Sequence, residues 1–249
     1  MLTVTPYGQP SSQPPLLIAH GLFGSARNWG VIAKRLSDRG QVFVVDMRNH
    51  GDSFRANSQT YRDMAGDLAE VMSGEFDLLG HSMGGKAAMV MALENPGQLR
   101  RLIIADIAPV AYSHTQVHLI EAMRGMDLSG IEKRSDADEI LAGSIDEPGI
   151  RAFLLQSLDV KEKRWKLNLD VLEQEMDHII GFPDVSGAFE GPSLFLSGAA
   201  SDYVLPDHRP AIKGLFPKAR FAKIPDAGHW LHAEKPREFE AAVRVFLDA

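Results

Sequence analysis

One short segment, residues 80–85 with the sequence GHSMGG, restricts the fold of this chain more than any other. It follows the apolar run 76–79 and precedes a helix-forming stretch, so it joins a predicted strand directly to a predicted helix. A turn this tight leaves no room for side chains two residues before and after its centre, where Gly80 and Gly84 stand. The pattern G-x-S-x-G in this context predicts a sharp turn that lifts the Ser82 hydroxyl above the end of a sheet, where it can act as a nucleophile.

The same segment also fits most of a phosphate-binding loop, G-x-x-x-x-G-K-[ST], which likewise joins a strand to a helix. Gly80, Gly85 and Lys86 occupy the matching positions, and Asp106, after a later apolar run, resembles a magnesium-binding aspartate. The mismatch is Ala87, because that loop needs a Ser or Thr hydroxyl there to bind magnesium. The local pattern therefore favours the serine turn, with a nucleotide-binding protein as the alternative.

The composition argues against several classes of protein. A net charge of −7 does not fit a nucleic-acid binder, which usually carries a basic stripe. The chain has no cysteine, so we expect neither disulfides nor thiol catalysis. The N-terminus has neither a basic segment nor an apolar core, and no apolar run approaches the ~20 residues of a membrane span. We therefore expect a cytoplasmic protein without a signal peptide, a membrane span or a nucleic-acid partner.

Short apolar runs alternate with longer amphipathic stretches along most of the chain. Six runs are predicted to be buried strands, at residues 16–19, 42–45, 76–79, 102–105, 194–196 and 221–224. Helices are predicted between them, near residues 27–39, 60–73, 83–95, 207–216 and 235–248. This alternation indicates an α/β fold with a mostly parallel central sheet that helices cover on both faces.

The alternation stops between residues 110 and 190, where the chain is charged and helix-forming and no strand is predicted. We expect a helical cap at 110–190, inserted after the strand that ends at Asp106. The core would then consist of residues 1–109 and 191–249. Several surface helices of one domain are the alternative interpretation.

His229 is the candidate base. It lies in a loop directly after the last predicted strand, at the edge where ligands bind in parallel sheets. The glycine-rich run 20–24 follows the first strong strand, and its turn can direct a backbone N–H toward the point that the Met83 N–H faces. We expect Leu22 to supply that second oxyanion donor, with Phe23 as the second choice.

The acid that would accompany His229 has two candidates. The usual position, third after Gly198 at the end of a predicted strand, holds Ser201, and Asp202 is displaced by one residue. Asp106 ends the preceding strand, and adjacent strand ends of a parallel sheet can both approach the histidine. Because a serine cannot stabilise an imidazolium as a carboxylate does, we expect Asp106 to be the acid. Asp202 is the second choice, and Ser201 is expected to help through a hydrogen bond.

These residues together resemble the α/β-hydrolase superfamily over essentially the whole chain. The closer similarity is to small bacterial and mitochondrial esterases and thioesterases with a helical cap. Residues 46–53, DMRNHGDS, resemble the D-x-R-N-H-G-x-S run of that subfamily, in which most members have glycine in place of Asn49. The runs 80–86, 106–109 and 227–233 are also similar.

The resemblance implies hydrolysis of a small-molecule acyl ester, or of an acyl-CoA thioester, without a metal or an organic cofactor. It also implies a triad of a serine, a histidine and an acid, and we interpret Asp46 and His50 as loop-organising residues. Phe23, Trp165 and Trp230 are expected to contribute to the substrate pocket. A catalytically idle fold used as a binding module is a further alternative, against which the intact serine turn argues.

Overall fold

A computed structural model describes the whole chain, residues 1–249. Nine strands, β1 to β9 in chain order, are Thr3–Tyr7, Leu16–Ala19, Val42–Asp46, Phe76–His81, Leu99–Ala105, Leu158–Asp159, Arg164–Trp165, Ser193–Gly198 and Ala219–Ile224. Eleven α-helices, α1 to α11, are Gly30–Leu36, Tyr61–Ala69, Met83–Glu94, Val117–Arg124, Arg134–Leu141, Pro148–Leu154, Leu169–Gln174, Met176–Ile180, Arg209–Leu215, Leu231–Glu234 and Pro236–Leu247. Short 3₁₀ turns occur at Ala26–Trp29, Leu155–Ser157 and Pro206–His208.

Seven of the strands form one sheet in the order β1-β3-β2-β4-β5-β8-β9. All neighbours in it are parallel except β1, which pairs antiparallel with β3. The six predicted strands are all present, so the predicted mostly parallel sheet is confirmed. Because the strands are parallel, the loops that follow β2, β4, β5, β8 and β9 all leave from the same edge of the sheet.

The prediction missed β1. Its residues alternate between exposed and half-buried, and Pro6 lies in the middle of the strand. Proline removes a backbone donor and is tolerated mainly in edge strands, and β1 is an edge strand here. A strand that is buried on neither face has no continuous apolar run, which was the feature that identified the other strands.

Helices cover both faces of the sheet, as predicted. The faces carry separate apolar clusters, one with side chains from α2 and α3 and the other with side chains from α1 and α11. The first cluster continues into the segment between β5 and β8 through residues such as Leu119 and Leu172. None of the helices combines the length and apolar composition that a membrane crossing requires.

The segment 110–190 adds no strand to the large sheet and contains α4 to α8. The expectation of a purely helical segment was wrong in one detail, because β6 and β7 pair there as a separate antiparallel hairpin. Strands of two residues are too short to show an alternating pattern in the sequence. The division of the chain into a core and a cap stays a prediction.

Two helical glycines give a matched test of the tight turn after β4. A Cβ atom at Gly84, in α3, would lie 2.5 Å from the carbonyl oxygens of Ala19 and His20, whereas one at Gly66, in α2, would meet no atom within 4 Å. Gly84→Ala should therefore destabilise the protein by about 2–3 kcal/mol through overpacking. Gly66→Ala should stabilise it by about 0.5–1 kcal/mol, because alanine favours the helix. Urea unfolding measures both, and equal effects would contradict the packing at Gly84.

Candidate active site

Ser82 occupies the turn between β4 and α3 in an unusual backbone conformation, with φ 52° and ψ −120°. Such a conformation costs about 1–3 kcal/mol and persists only where the surroundings enforce it. Here the Ser82 N–H donates to the Ala105 carbonyl at 3.1 Å, and the Ser82 carbonyl accepts from the Lys86 N–H at 3.0 Å. A Cβ atom at Gly80 would lie 2.4 Å from the Gly84 carbonyl oxygen, so this position requires glycine.

The structure brings Ser82, His229 and Asp106 into one hydrogen-bonded chain. His229 Nε2 lies 3.0 Å from Ser82 Oγ, and His229 Nδ1 lies 2.8 Å from Asp106 Oδ2. A carboxylate only accepts hydrogen bonds, so Nδ1 carries the proton of the ring and Nε2 is free to accept from the serine hydroxyl. This arrangement can take the hydroxyl proton as the serine oxygen attacks.

Asp106 is fully buried, and its carboxylate receives two hydrogen bonds besides that from His229. The Gly198 N–H donates to Oδ1 at 3.0 Å, and the Ser201 hydroxyl donates to Oδ2. Asp202, the other predicted candidate, is exposed and makes no hydrogen bond to His229. The residue at the usual acid position thus contacts the carboxylate from β5 and helps to fix its orientation.

Several contacts around His229 had no signal in the sequence analysis. The Tyr203 ring stacks on the imidazole at 3.9 Å between centroids, and His81 Nε2 donates to the His229 carbonyl at 2.9 Å. The Glu234 carboxylate accepts from the backbone N–H groups of Gly228 and Trp230, which fixes the loop on both sides of the histidine. The fold brings Tyr203 and His81 to His229 from distant parts of the chain, so spacing along the chain does not reveal them.

Other histidines surround the site and are held neutral by burial. Burial lowers the pKa of His20 and lowers that of His81 well below the usual range, and neighbouring His229 adds to the effect on His81. The pKa values of His50 and His232 fall to about 3 for the same main reason. Neutral rings can serve here as hydrogen-bonding and stacking groups without adding positive charge next to His229.

The loop after β2 presents a free backbone donor beside Ser82. The N–H groups of Leu22 and Met83 have no acceptor in the protein, and both residues line the same cavity as Ser82. Phe23, the second choice, donates its N–H to His50 Nε2 at 3.2 Å and is therefore occupied. The structure thus favours Leu22 over Phe23 as the partner of Met83.

The run 46–53 supports this loop from the neighbouring strand end. Asp46 accepts from the Ala26 N–H at 2.7 Å and from the Asp52 N–H at 2.9 Å. His50 Nδ1 donates to the Arg48 carbonyl, which leaves Nε2 as the acceptor for Phe23. These contacts agree with the interpretation of Asp46 and His50 as loop-organising residues.

An apolar cavity of about 250 Å³ adjoins Ser82. Its wall includes Phe23, Trp230, Phe153, Ile179 and Ile180. Trp165, which was expected to join Phe23 and Trp230 at a substrate pocket, is not part of this wall. The Trp165 indole N–H instead donates to the Met123 carbonyl at 2.9 Å, which places the ring inside the segment 110–190.

The phosphate-binding alternative depended on Lys86 and does not match its position. The Lys86 ammonium donates to the carbonyls of Ile180 and Gly181, and none of its hydrogen bonds goes to the loop 80–85. The ammonium also lies 4.7 Å from the centre of the Tyr112 ring. Lys86 therefore packs within the protein rather than over a phosphate.

Comparison with known proteins gives consistent matches over nearly the whole chain. A family model described as the alpha/beta hydrolase family matches residues 16–242. The Mus musculus protein named sn-1-specific diacylglycerol lipase ABHD11 is 41% identical, over 94% of this chain and 81% of that protein. Esterase YbfF of Escherichia coli (strain K12) is 37% identical, over 94% of this chain and 93% of its own length. A solved structure described as a marine microorganism esterase has a TM-score of 0.92 and 38% identity, covering 98% of both chains.

Burial of neutral His232 predicts a loss of stability on acidification. The unfolded chain binds a proton at this residue below about pH 6.5, whereas the folded protein does not until about pH 3. The unfolded state therefore binds more protons in this window, and the free energy of unfolding falls as the pH is lowered. His232→Phe keeps an aromatic ring on Trp29, which stacks on His232 at 4.1 Å. Between pH 6.5 and 5.0 this variant should lose about 1.5 kcal/mol less than the wild type in urea unfolding. An equal loss in both proteins would contradict a neutral His232.

Proposed function

This chain belongs to the alpha/beta hydrolase family, and we propose that it cleaves carboxylic esters through an acyl-enzyme formed on Ser82. The family and the esterases and lipase among its relatives establish ester hydrolysis as the general class of activity. The observation that carries the finer proposal is the hydrogen-bonded chain Asp106–His229–Ser82, with distances of 2.8 and 3.0 Å. It joins an acid, a base and a half-buried hydroxyl that lines the cavity, in the order that nucleophilic catalysis requires.

In the proposed first step, Ser82 Oγ attacks the acyl carbonyl carbon while His229 Nε2 takes the hydroxyl proton. The ring then carries a positive charge, which the buried Asp106 carboxylate stabilises without becoming protonated. The imidazolium gives that proton to the departing alcohol as the carbon–oxygen bond breaks. Water, deprotonated by the same ring, attacks the acyl-enzyme, releases the carboxylic acid and restores the serine.

The oxyanion that forms at each attack would be held by the Leu22 and Met83 N–H groups. Both groups have no acceptor in the protein, so they need not break another hydrogen bond to bind it. Met83 is the first residue of α3, where the helix dipole favours negative charge. Each donor should stabilise the transition state by roughly 3–4 kcal/mol.

The apolar cavity beside Ser82 supports binding of the acyl part of the substrate. The name of the mouse relative gives diacylglycerol as a substrate of that protein, which supports acyl esters as the general substrate class here. We extend the proposal to acyl thioesters, because a thiol is a good leaving group and the same acyl-enzyme forms. The proposed steps use side chains and water alone, without a cofactor.

The assignment of Ser82 predicts covalent labelling at one position. A fluorophosphonate should add once to the wild type, as measured by intact-mass spectrometry, because the activated hydroxyl attacks its phosphorus centre. Ser82→Ala should remove both this adduct and hydrolysis of simple acyl esters. Ser144→Ala, at an exposed serine, is the matched control and should label fully. Labelling that survives Ser82→Ala would refute the assignment, and an unlabelled wild type would indicate a catalytically idle fold.

The assignment of the acid predicts unequal effects of two identical substitutions. Asp106→Asn keeps the shape of the side chain but removes the charge that stabilises the imidazolium, and should lower kcat by about 10³- to 10⁴-fold. Asp202→Asn should change kcat less than twofold, since Asp202 does not contact His229. Ser201→Ala removes one hydrogen bond from Asp106 and should cost roughly tenfold. Steady-state kinetics with one ester tests all three, and a larger loss in Asp202→Asn would show that the wrong carboxylate was chosen.

A further inference from the structure

The proposed mechanism leaves one buried charge in the substrate cavity without a role. Lys86 is only 1% exposed, yet it forms part of the cavity wall that also contains Ser82. It lies on α3, one helical turn after Ser82, which corresponds to about 6 Å along the helix axis. The Lys86 side chain lines this cavity together with Ser82, and its ammonium contacts backbone carbonyls at the end of α8.

The groups around the Lys86 ammonium are neutral. Two of its three N–H bonds are used, on the Ile180 carbonyl at 2.9 Å and on the Gly181 carbonyl. The rings of Tyr112 and Tyr61 lie 4.7 and 5.6 Å from the nitrogen. Lys86 takes part in none of the ion pairs of the structure, so no carboxylate of the protein lies within 4 Å of its ammonium. One N–H bond of the ammonium therefore has no acceptor in the protein, and no carboxylate of the protein balances its charge.

Support of the end of α8 does not require this charge. Ile180 also accepts from the Tyr112 N–H at 3.0 Å, and Ile179 accepts from the Tyr61 hydroxyl. Neutral donors thus already hold two of the three consecutive carbonyls. A buried ammonium is costly without a counter-ion, and burial alone lowers the pKa of Lys86 to about 7. An anion bound beside it would favour the charged form.

Granting the proposed ester hydrolysis at Ser82, we propose that Lys86 is an anion subsite for the far end of the acyl group. The substrates it selects are monoesters or monothioesters of short dicarboxylic acids, whose free carboxylate accepts a hydrogen bond from the ammonium. An extended chain advances about 1.2 Å per bond. Because Ser82 and Lys86 line the same cavity of about 250 Å³, we expect short diacids, of about four to six carbons.

A pair of matched esters tests this subsite. Monoethyl glutarate and ethyl pentanoate have the same leaving group and the same acyl length, and differ in a terminal carboxylate against a methyl group. The wild type should have the higher kcat/KM for monoethyl glutarate. Lys86→Met should reduce the glutarate-to-pentanoate ratio of kcat/KM by about 10- to 100-fold, the value of a charge-assisted hydrogen bond.

The ratio separates recognition from packing. Repacking around residue 86 would lower kcat/KM for both esters alike, whereas loss of an anion subsite lowers the ratio. Lys86→Arg keeps the charge and should retain part of the preference, and Lys34→Met, at an exposed lysine of α1, should leave the ratio unchanged. If the Lys86→Met protein does not fold, a second measurement replaces it. Free glutarate is then tested as an inhibitor of ethyl pentanoate hydrolysis by the wild type. Glutarate should inhibit competitively and more strongly than pentanoate.

Each result has a definite meaning. A wild type that hydrolyses ethyl pentanoate but shows no preference for monoethyl glutarate, and no stronger inhibition by glutarate, overturns the anion subsite and leaves the esterase proposal intact. A ratio that Lys86→Met does not change also overturns it. Hydrolysis of neither ester, together with absence of fluorophosphonate labelling, overturns the proposed function and the subsite with it.

Discussion

The strained turn at Ser82 depends on close contact between backbones. The turn is possible because Gly80 and Gly84 lie so close to neighbouring carbonyl groups that a Cβ atom at either position would overlap with them. A strain of about 1–3 kcal/mol at Ser82 is small compared with the packing of α3, which is buried in the larger apolar cluster. The same contacts join the ends of β2, β4 and β5, from which the loop containing Leu22 and the carboxylate of Asp106 follow. This segment thus positions the residues after β2 and β5 relative to Ser82.

The carboxylate that contacts His229 follows β5, although the strand order would place a residue after β8 nearer to it. β8 lies between β5 and β9, so an acid after β8 would lie nearest to His229 after β9. In this chain that position holds Ser201, whose hydroxyl donates to the Asp106 carboxylate instead. Gly198, at the end of β8, adds a backbone donor to the same carboxylate. The strand end that lacks an acid therefore supplies two hydrogen bonds that orient an acid on its neighbour.

The local sequence was sufficient to predict those parts of the molecule that local chemistry determines. The turn at Ser82 and the six buried strands follow from glycine spacing and continuous apolar runs. The position of Asp106 could be inferred because parallel strands end at one edge. The contacts of Trp165 and Tyr203 were missed, since both depend on how the segment 110–190 and the loop after β8 fold back on the core. Such contacts join residues far apart in the chain and leave no periodic signal.

The histidines that surround His229 add little positive charge to the site. Three buried histidines, His20, His81 and His232, line the cavity together with Ser82, and burial keeps them uncharged. If these rings were protonated, each would oppose the positive charge that the proposed mechanism places on His229 during attack. Held neutral, His81 instead donates to the His229 carbonyl and fixes the loop. Burial of these rings lowers stability at acidic pH, and in return the Asp106 carboxylate acts on a single imidazolium in the proposed mechanism.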